Sequence, residues 1–386
     1  ASGATVRDVG LLDVHITGGY GVAGIVGGNL GTVNNCYLTG QVAGYRYVGG
    51  IVGGNVGIIL DSHSSAAMNG TEDVGGLAGT TFGKIDNSYA TGNVIGNDRA
   101  ENIGGLAGSG KDPHTILNSF ATGNVSAGDK SKCVGGLVGD NTGGSITNSF
   151  STGSVTVGDG DFPEGSINYT EQVSQIGGFT GYNGGSITKS YALGNVSASD
   201  NGFGFPANDV GGFVGSNDAI ISDSYAQGNV MAGNVSSSVG GFAGYNSNAI
   251  TRAYSTGSVS VGSDSFGTGG LVGYNSKTGS ISNSFTVTSF VGGGHGSYDT
   301  GGLVGYNNGG TITNSYFTDG VYNNGLGTYE WGGENAFYGS AHAVYNAAGS
   351  KWDLSNVWRL PDRGLPLLRS TMFLADFTFV QPTVYD

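Results

Sequence analysis

The chain has 386 residues, with Lys plus Arg 14 against Asp plus Glu 28, giving a net charge of −14 and 11% charged residues. That balance excludes sequence-independent binding to a nucleic-acid backbone or an anionic membrane surface. Gly 78 with only Pro 6, and no strict three-residue glycine period, excludes collagen, while 10% aromatic and 37% hydrophobic residues are too many for a disordered linker. No run of 18 apolar residues reads as a membrane-spanning helix, and the first residues carry no signal peptide.

From the N-terminus onward one block recurs ten times, of the form Val-Gly-Gly-Leu-Val-Gly-Tyr-Asn. Its central apolar residue falls at Ile25, Ile51, Leu77, Leu106, Leu137, Phe179, Phe213, Phe242, Leu271 and Leu303. The spacings are 26, 26, 29, 31, 42, 34, 29, 29 and 32. Such a period marks a solenoid or a propeller, and units mostly under 40 residues disfavour four-stranded propeller blades. Each repeat holds three short β-type runs. In the fifth they are centred on Leu137-Val138, on Ser145 to Phe150 and on Gly153 to Val157, with a turn at Asn141-Thr142-Gly143-Gly144. No segment has helical spacing of apolar residues. The expectation is an all-β fold, a right-handed parallel β-helix of about ten coils, roughly 48 Å long at ~4.8 Å per coil.

Stacked coils require ladders of equivalent residues. An aliphatic ladder runs through Ile85, Ile116, Ile146, Ile187, Ile221, Ile250, Ile281 and Ile312. Four residues on, an aromatic ladder runs through Tyr37, His63, Tyr89, Phe120, Phe150, Tyr191, Tyr225, Tyr254, Phe285 and Tyr316. The even offset predicts that both share the core face. Asn29, Asn55, Asn141, Asn183, Asn217, Asn246, Asn275 and Asn307 form a third, whose amides are expected to bond coil to coil. The pairs Gly49-Gly50, Gly75-Gly76, Gly135-Gly136 and Gly301-Gly302 read as tight corners, with positive φ as one reason for glycine. Cys36 and Cys133 lie in the first and fifth repeats, too far apart for a disulfide, and are expected to be free thiols.

The two longest insertions interrupt adjacent repeats at the same position: Gly158 to Asn168, and Ser199 to Asp209. They carry Asp159, Asp161, Phe162 and Glu164, and Asp200, Phe203, Phe205 and Asp209. Insertions on one side of a repeat protein often build its binding face. Aromatic rings beside carboxylates and amides suit a sugar, which offers an apolar face and hydroxyls. Asp159, Asp161 and Glu164 are also oxygen ligands that suit calcium. The plain alternative is two tolerated surface loops. Five histidines, His15, His63, His114, His295 and His342, are scattered, so no His-Glu-x-x-His zinc site exists. No nucleophile elbow or P-loop is convincing. A polysaccharide hydrolase would need paired carboxylates. Asp200 with Asp209, or Asp159, Asp161 and Glu164, are the candidates for that reading. Sequons such as Asn69-Gly-Thr follow from composition.

Blocks such as Ile103-Gly-Gly-Leu-Ala-Gly-Ser109 followed by Asn118-Ser-Phe-Ala-Thr-Gly-Asn-Val125 resemble the GLUG motif of large bacterial surface proteins. These include filamentous-haemagglutinin-like exoproteins and the stalks of IgA-cleaving peptidases. The resemblance covers about residues 1–320. Thr5 to Gly18 resembles the second half of a repeat, so the chain is expected to open inside a longer solenoid. Residues 321–370, which hold Trp331, Trp352 and Trp358, resemble the segment that closes such arrays and are expected to cap the solenoid's end. Residues 371–386 end in Phe379-Val-Gln-Pro-Thr-Val-Tyr-Asp386, similar to the opening of a YDG-type repeat. The resemblance implies a secreted or cell-surface adhesin segment of the two-partner secretion class. It would be non-enzymatic and monomeric, binding an exopolysaccharide, a host glycan or a surface protein, with no resident cofactor. A passive spacer and a polysaccharide-active β-helix enzyme are the alternatives.

Overall fold

A computed structural model describes residues 3–158, 173–198, 207–288, 291–317, 336–338, 352–359 and 367–369. It is a parallel β-solenoid. A ten-stranded parallel sheet, one strand per coil from Val26–Asn29 to Val304–Asn307, forms one face. A 37-stranded sheet wraps the rest of the circumference. The repeat therefore folds as one coil per block, and the ten-stranded sheet gives the expected count.

The fifth coil shows why. Lys132–Gly135 runs into Gly136 and Leu137, where the chain turns. Val138–Thr142 then lies in the ten-stranded sheet. Ser145–Thr147, Phe150–Ser151 and Val155–Val157 follow, each paired in parallel with its counterpart one coil on. Val134, Leu137, Val138, Ile146, Val155 and Val157 point inward and are fully buried, and the same pattern recurs in one continuous apolar core. The isoleucine ladder is in register, from Ile85↔Ile116 through Ile146↔Ile187 to Ile281↔Ile312. In three coils the central residue is Phe179, Phe213 or Phe242, stacked at 4.6 and 4.7 Å inside the core.

The asparagine ladder also forms. The Asn141 amide donates to Asn183 at 2.6 Å, Asn183 to Asn217 at 2.7 Å, Asn217 to Asn246 at 2.8 Å, and so on through Asn275 to Asn307. Each amide is buried or nearly so and satisfies its neighbour, so the row locks the coil register. Where Gly110 interrupts the row, the His114 ring fills the space that a side chain at residue 110 would take. His114 is 1% exposed, and burial pushes its imidazole down to about 4.

Two expectations are corrected. The paired glycines do not need positive φ; the left-handed glycines lie elsewhere, at Gly21, Gly143 and Gly267 among others. The pairs are required by close approach instead. A Cβ on Gly135 would collide with the Val138 carbonyl oxygen, and one on Gly136 with the Gly178 carbonyl of the next coil. The aromatic ladder is not in the core. Between the isoleucine and the aromatic residue stands a left-handed non-glycine residue, such as Asn87 (φ 46°), Asn118 (φ 50°) or Asn148 (φ 54°). That residue breaks the alternation of the strand. The following serine turns inward, the ring outward, and Ala90 or Ala121 takes the core position.

The serine in this corner ties each coil to the next. The Ser88 hydroxyl donates to the Asp86 carbonyl at 2.8 Å and accepts the Ser62 amide at 3.1 Å. Ser119, Ser149, Ser190 and Ser284 repeat both bonds. Cys36 occupies the same row, buried, and Cys133 lies on a different corner; both are free thiols, as expected.

The described parts of residues 321–370 do two things. Ala336–Tyr338 adds one more parallel strand beyond Ser315–Phe317. Trp352, Trp358 and Leu368 lie along the side of the rod, over the outward aromatic ladder of the last coils. Trp352 sits 5.7 Å from Phe285 and 5.6 Å from Tyr316, and Trp358 sits 6.4 Å from Tyr254. The Trp352 indole N–H donates to the Asn314 carbonyl at 3.2 Å. Covered in this way, Tyr254, Phe285 and Tyr316 are 4%, 0% and 2% exposed, whereas Tyr37 at the far end is 39% exposed.

Candidate functional site

Of the eight residues singled out in the insertions, Asp159, Asp161, Phe162, Glu164, Asp200, Phe203 and Phe205 lie outside the described residues; Asp209 is described. The strands that bound the two insertions are paired on both sides. Val157 is the partner of Ala198 before them, and Val173 of Ala207 after them. Both insertions thus leave and rejoin the rod at the same position around its circumference, one coil apart.

The strand that each insertion enters is the corner strand that precedes the Gly-Gly turn. Its middle residue is left-handed in coil after coil: Asp73, Asn102, Cys133, Gln175, Asp209, Ser238, Gly267 and Asp299. Asp209 (φ 55°) suits this position because Asp tolerates the left-handed region. Its carboxyl is half-buried. Burial pushes it up to about 7, opposed by a hydrogen bond with Ser238 and reinforced by the nearby Asp218 carboxylate. In the same row the Cys133 thiol contacts the Gln175 amide oxygen at 2.9 Å and is pushed up to about 12 by burial. Asp209 is therefore a backbone-corner residue whose carboxyl is held partly neutral.

Two coils beyond Asp209, the same corner turns aromatic. Asn208 pairs with Ser237, Ser237 with Phe266, and Phe266 with Tyr298. Across the turn, the ten-stranded sheet presents its own row: Tyr182, Ser216, Tyr245, Tyr274 and Tyr306. The rows meet because Gly273 and Gly305 pack onto the corner-strand backbone of the preceding coil, where a side chain would collide with Ser238–Val239 or Gly267–Thr268. Phe266 lies 5.3 Å from Tyr306 at 51° and 5.2 Å from Tyr298 at 49°. Tyr274 lies 5.3 Å from Tyr306 at 45°. The Asn308 amide donates to the Tyr274 hydroxyl at 2.8 Å, and Tyr182 donates to Asp218 at 3.0 Å. Burial, reinforced by that bond, pushes the Tyr182 hydroxyl up to about 12. The sequence did signal this patch: tyrosine precedes the ladder asparagine at Tyr182, Tyr245, Tyr274 and Tyr306, and not in the first five repeats.

Among the described residues, no group of three or more His, Cys, Asp or Glu side chains is placed to hold a metal ion. No helix there is long and apolar enough to cross a membrane. The calcium candidates Asp159, Asp161 and Glu164 lie outside the described residues.

A rod with ladders, insertion ends on one side and an aromatic corner is a repeat protein of the parallel β-solenoid class. The family model of the GLUG motif matches it at residues 70–95, 131–156, 207–231 and 296–322, so the chain carries GLUG repeats. No curated protein matches the chain. No solved structure matches it either.

Proposed function

We propose that this chain is a non-enzymatic attachment segment of a bacterial surface or secreted adhesin, of the two-partner secretion type. It works as a monomeric, stiff rod and binds a glycan of a biofilm matrix or host surface. The observation that supports this reading is the pairing of the two insertions' ends, Val157 with Ala198 and Val173 with Ala207. The ends of two segments whose sequences carry aromatic and carboxylate residues are thus joined to adjacent coils of a backbone whose register is fixed by continuous ladders. A rigid carrier reduces the entropy lost on binding, and repeated weak contacts along a rod gain from effective concentration.

The test is a panel of bacterial exopolysaccharides and host glycans, with the solutions assayed for released sugar. The expected result is saturable binding without turnover, weakened when Phe162, Phe203 and Phe205 are replaced by Ala. Released sugar would convert the reading to a polysaccharide-active enzyme. Absence of binding to every glycan would leave a spacer or a protein-binding segment.

A further inference from the structure

We propose that the aromatic corner formed by Phe266, Tyr274, Tyr298 and Tyr306 is itself a glycan-binding site, selective for uncharged sugar chains. This rests on the attachment reading above but locates the contact on the rod rather than in its insertions. Three observations carry it.

First, the ring geometry leaves faces free, although one face of Tyr274 is stacked on Tyr245 at 5.4 Å and 19°. Phe266, Tyr274, Tyr298 and Tyr306 meet at 45–59°, not face to face. A ring tilted against its neighbour exposes part of its π-face, and the apolar C–H face of a pyranose packs on such a face. Tyr298 is 49% exposed, and Phe266, Tyr274 and Tyr306 are half-buried. Half-burial fixes the rings while leaving contact area, so little rotamer entropy is lost on binding.

Second, the polar groups around the rings suit hydroxyls. Among the described residues, the hydroxyls of Tyr245, Tyr298 and Tyr306 have no protein partner, and Asn308 at the rim is exposed. Phenol and amide groups both donate and accept, as sugar hydroxyls do.

Third, the charge selects the class. Residues 207–317 hold Asp209, Asp218, Asp223, Asp264 and Asp299 against Arg252 and Lys277, or 2 − 5 = −3. Arg252 is already engaged by Asp223 in two bonds of 2.6 and 2.7 Å. An anionic sugar would approach a stretch of net negative formal charge, which opposes binding. Tyr245, Tyr274 and Tyr306 follow one another along three consecutive coils, so a bound chain would lie along the rod axis.

The experiment is calorimetric titration of the full chain with four hexasaccharides. Three are neutral, a β-1,4-glucan, an α-mannan and an N-acetylglucosamine oligomer; the fourth is an anionic oligogalacturonate. At least one neutral oligomer is expected to bind, with Kd rising at least tenfold in Phe266→Ala and in Tyr298→Ser. The second variant alters an exposed side chain and preserves the fold. Oligogalacturonate is expected to bind at least tenfold more weakly than that neutral oligomer. Neutral binding unchanged in both variants but lost in the Phe162/Phe203/Phe205 triple variant overturns this site and leaves the attachment reading standing. Preferential binding of oligogalacturonate overturns the selectivity. No binding of any oligomer by the unaltered chain overturns the proposal, and failure across the wider polysaccharide panel overturns the attachment reading with it.

Discussion

Two aromatic rows run along this rod, and they use their rings in opposite ways. In the ladder from Tyr37 to Phe285, neighbours stack 4.7–5.6 Å apart with planes within 10° of parallel. Each ring face is consumed by the coil above and below, and only edges reach the surface. At the corner of the last coils the rings are tilted, both within a row, as for Phe266 with Tyr298 and Tyr274 with Tyr306, and between the two rows that meet across a glycine contact, as for Phe266 with Tyr306. The same residue types therefore give a structural spine in one place and a surface of tilted, part-exposed rings in the other. What differs is the neighbourhood: the ladder is a single row of rings, whereas at the corner a second row of rings packs against the first. The indoles lie across the ladder's edges: Trp358 is tilted by 53° against Phe285 and by 48° against Tyr254.

Breaking the spine where it is covered should have the largest effect. Phe285→Ala removes a fully buried ring between Tyr254, Trp352 and Trp358. We expect about 3–5 kcal/mol of destabilisation in urea unfolding and a red shift of tryptophan emission as the indoles lose their packing. An unshifted emission spectrum would mean that the tryptophan segment does not depend on the ladder.

Acidification separates the two regions next. His114 is buried neutral, with its pKa pushed from about 6.5 down to about 4. The unfolded chain takes up the proton first, so its contribution to stability is whole above about pH 6.5 and falls as pH drops toward 4. The full difference is about 3 kcal/mol at 1.36 kcal/mol per unit. His114→Gln should flatten the fall in unfolding free energy over that window. An equally steep fall in the variant would assign the acid sensitivity to another group.

At the corner the sign reverses. The Asp209 carboxyl titrates near 7 in the folded chain, above its ordinary value near 3.8. The unfolded chain loses the proton first, so stability falls as pH rises from about 4 to about 7. Asp209→Asn should raise Tm at pH 8 and change it less at pH 4. Equal shifts at both values would show that its carboxyl is ordinary.

The smallest effect on stability belongs to the exposed face of the corner. Tyr298→Ser should change unfolding free energy by no more than about 0.5 kcal/mol, as for surface positions generally. Circular dichroism melting checks this, and a large loss would make the corner a second structural spine.

The sequence was most legible where identity and spacing coincide. Isoleucines and asparagines at one position per repeat must stack at the strand spacing, so both ladders could be read as a list, and both form. The side to which the aromatic ladder faces could not be read from its even offset. One left-handed residue, Asn87 or its equivalent, removes a step from the alternation. The signal was present in the recurring Asn-Ser-aromatic triplet, a turn-forming asparagine before a small polar residue. Asp209 was legible as a carboxyl near an insertion, but not as a left-handed corner residue with a raised pKa, because burial and the neighbouring Asp218 come from coils that fold beside it.

By itself, then, the sequence determined the coil, its number and its register. Each repeat buries its apolar residues only against identical neighbours, and a side-chain amide bonds best to its own kind one strand away. The tertiary structure alone decided what reaches the surface. Which rings stack and which tilt, which end of the ladder the tryptophans cover, and which glycines let two rows of rings meet all depend on backbone approach between strands far apart in the chain, and no spacing along the sequence encodes those distances.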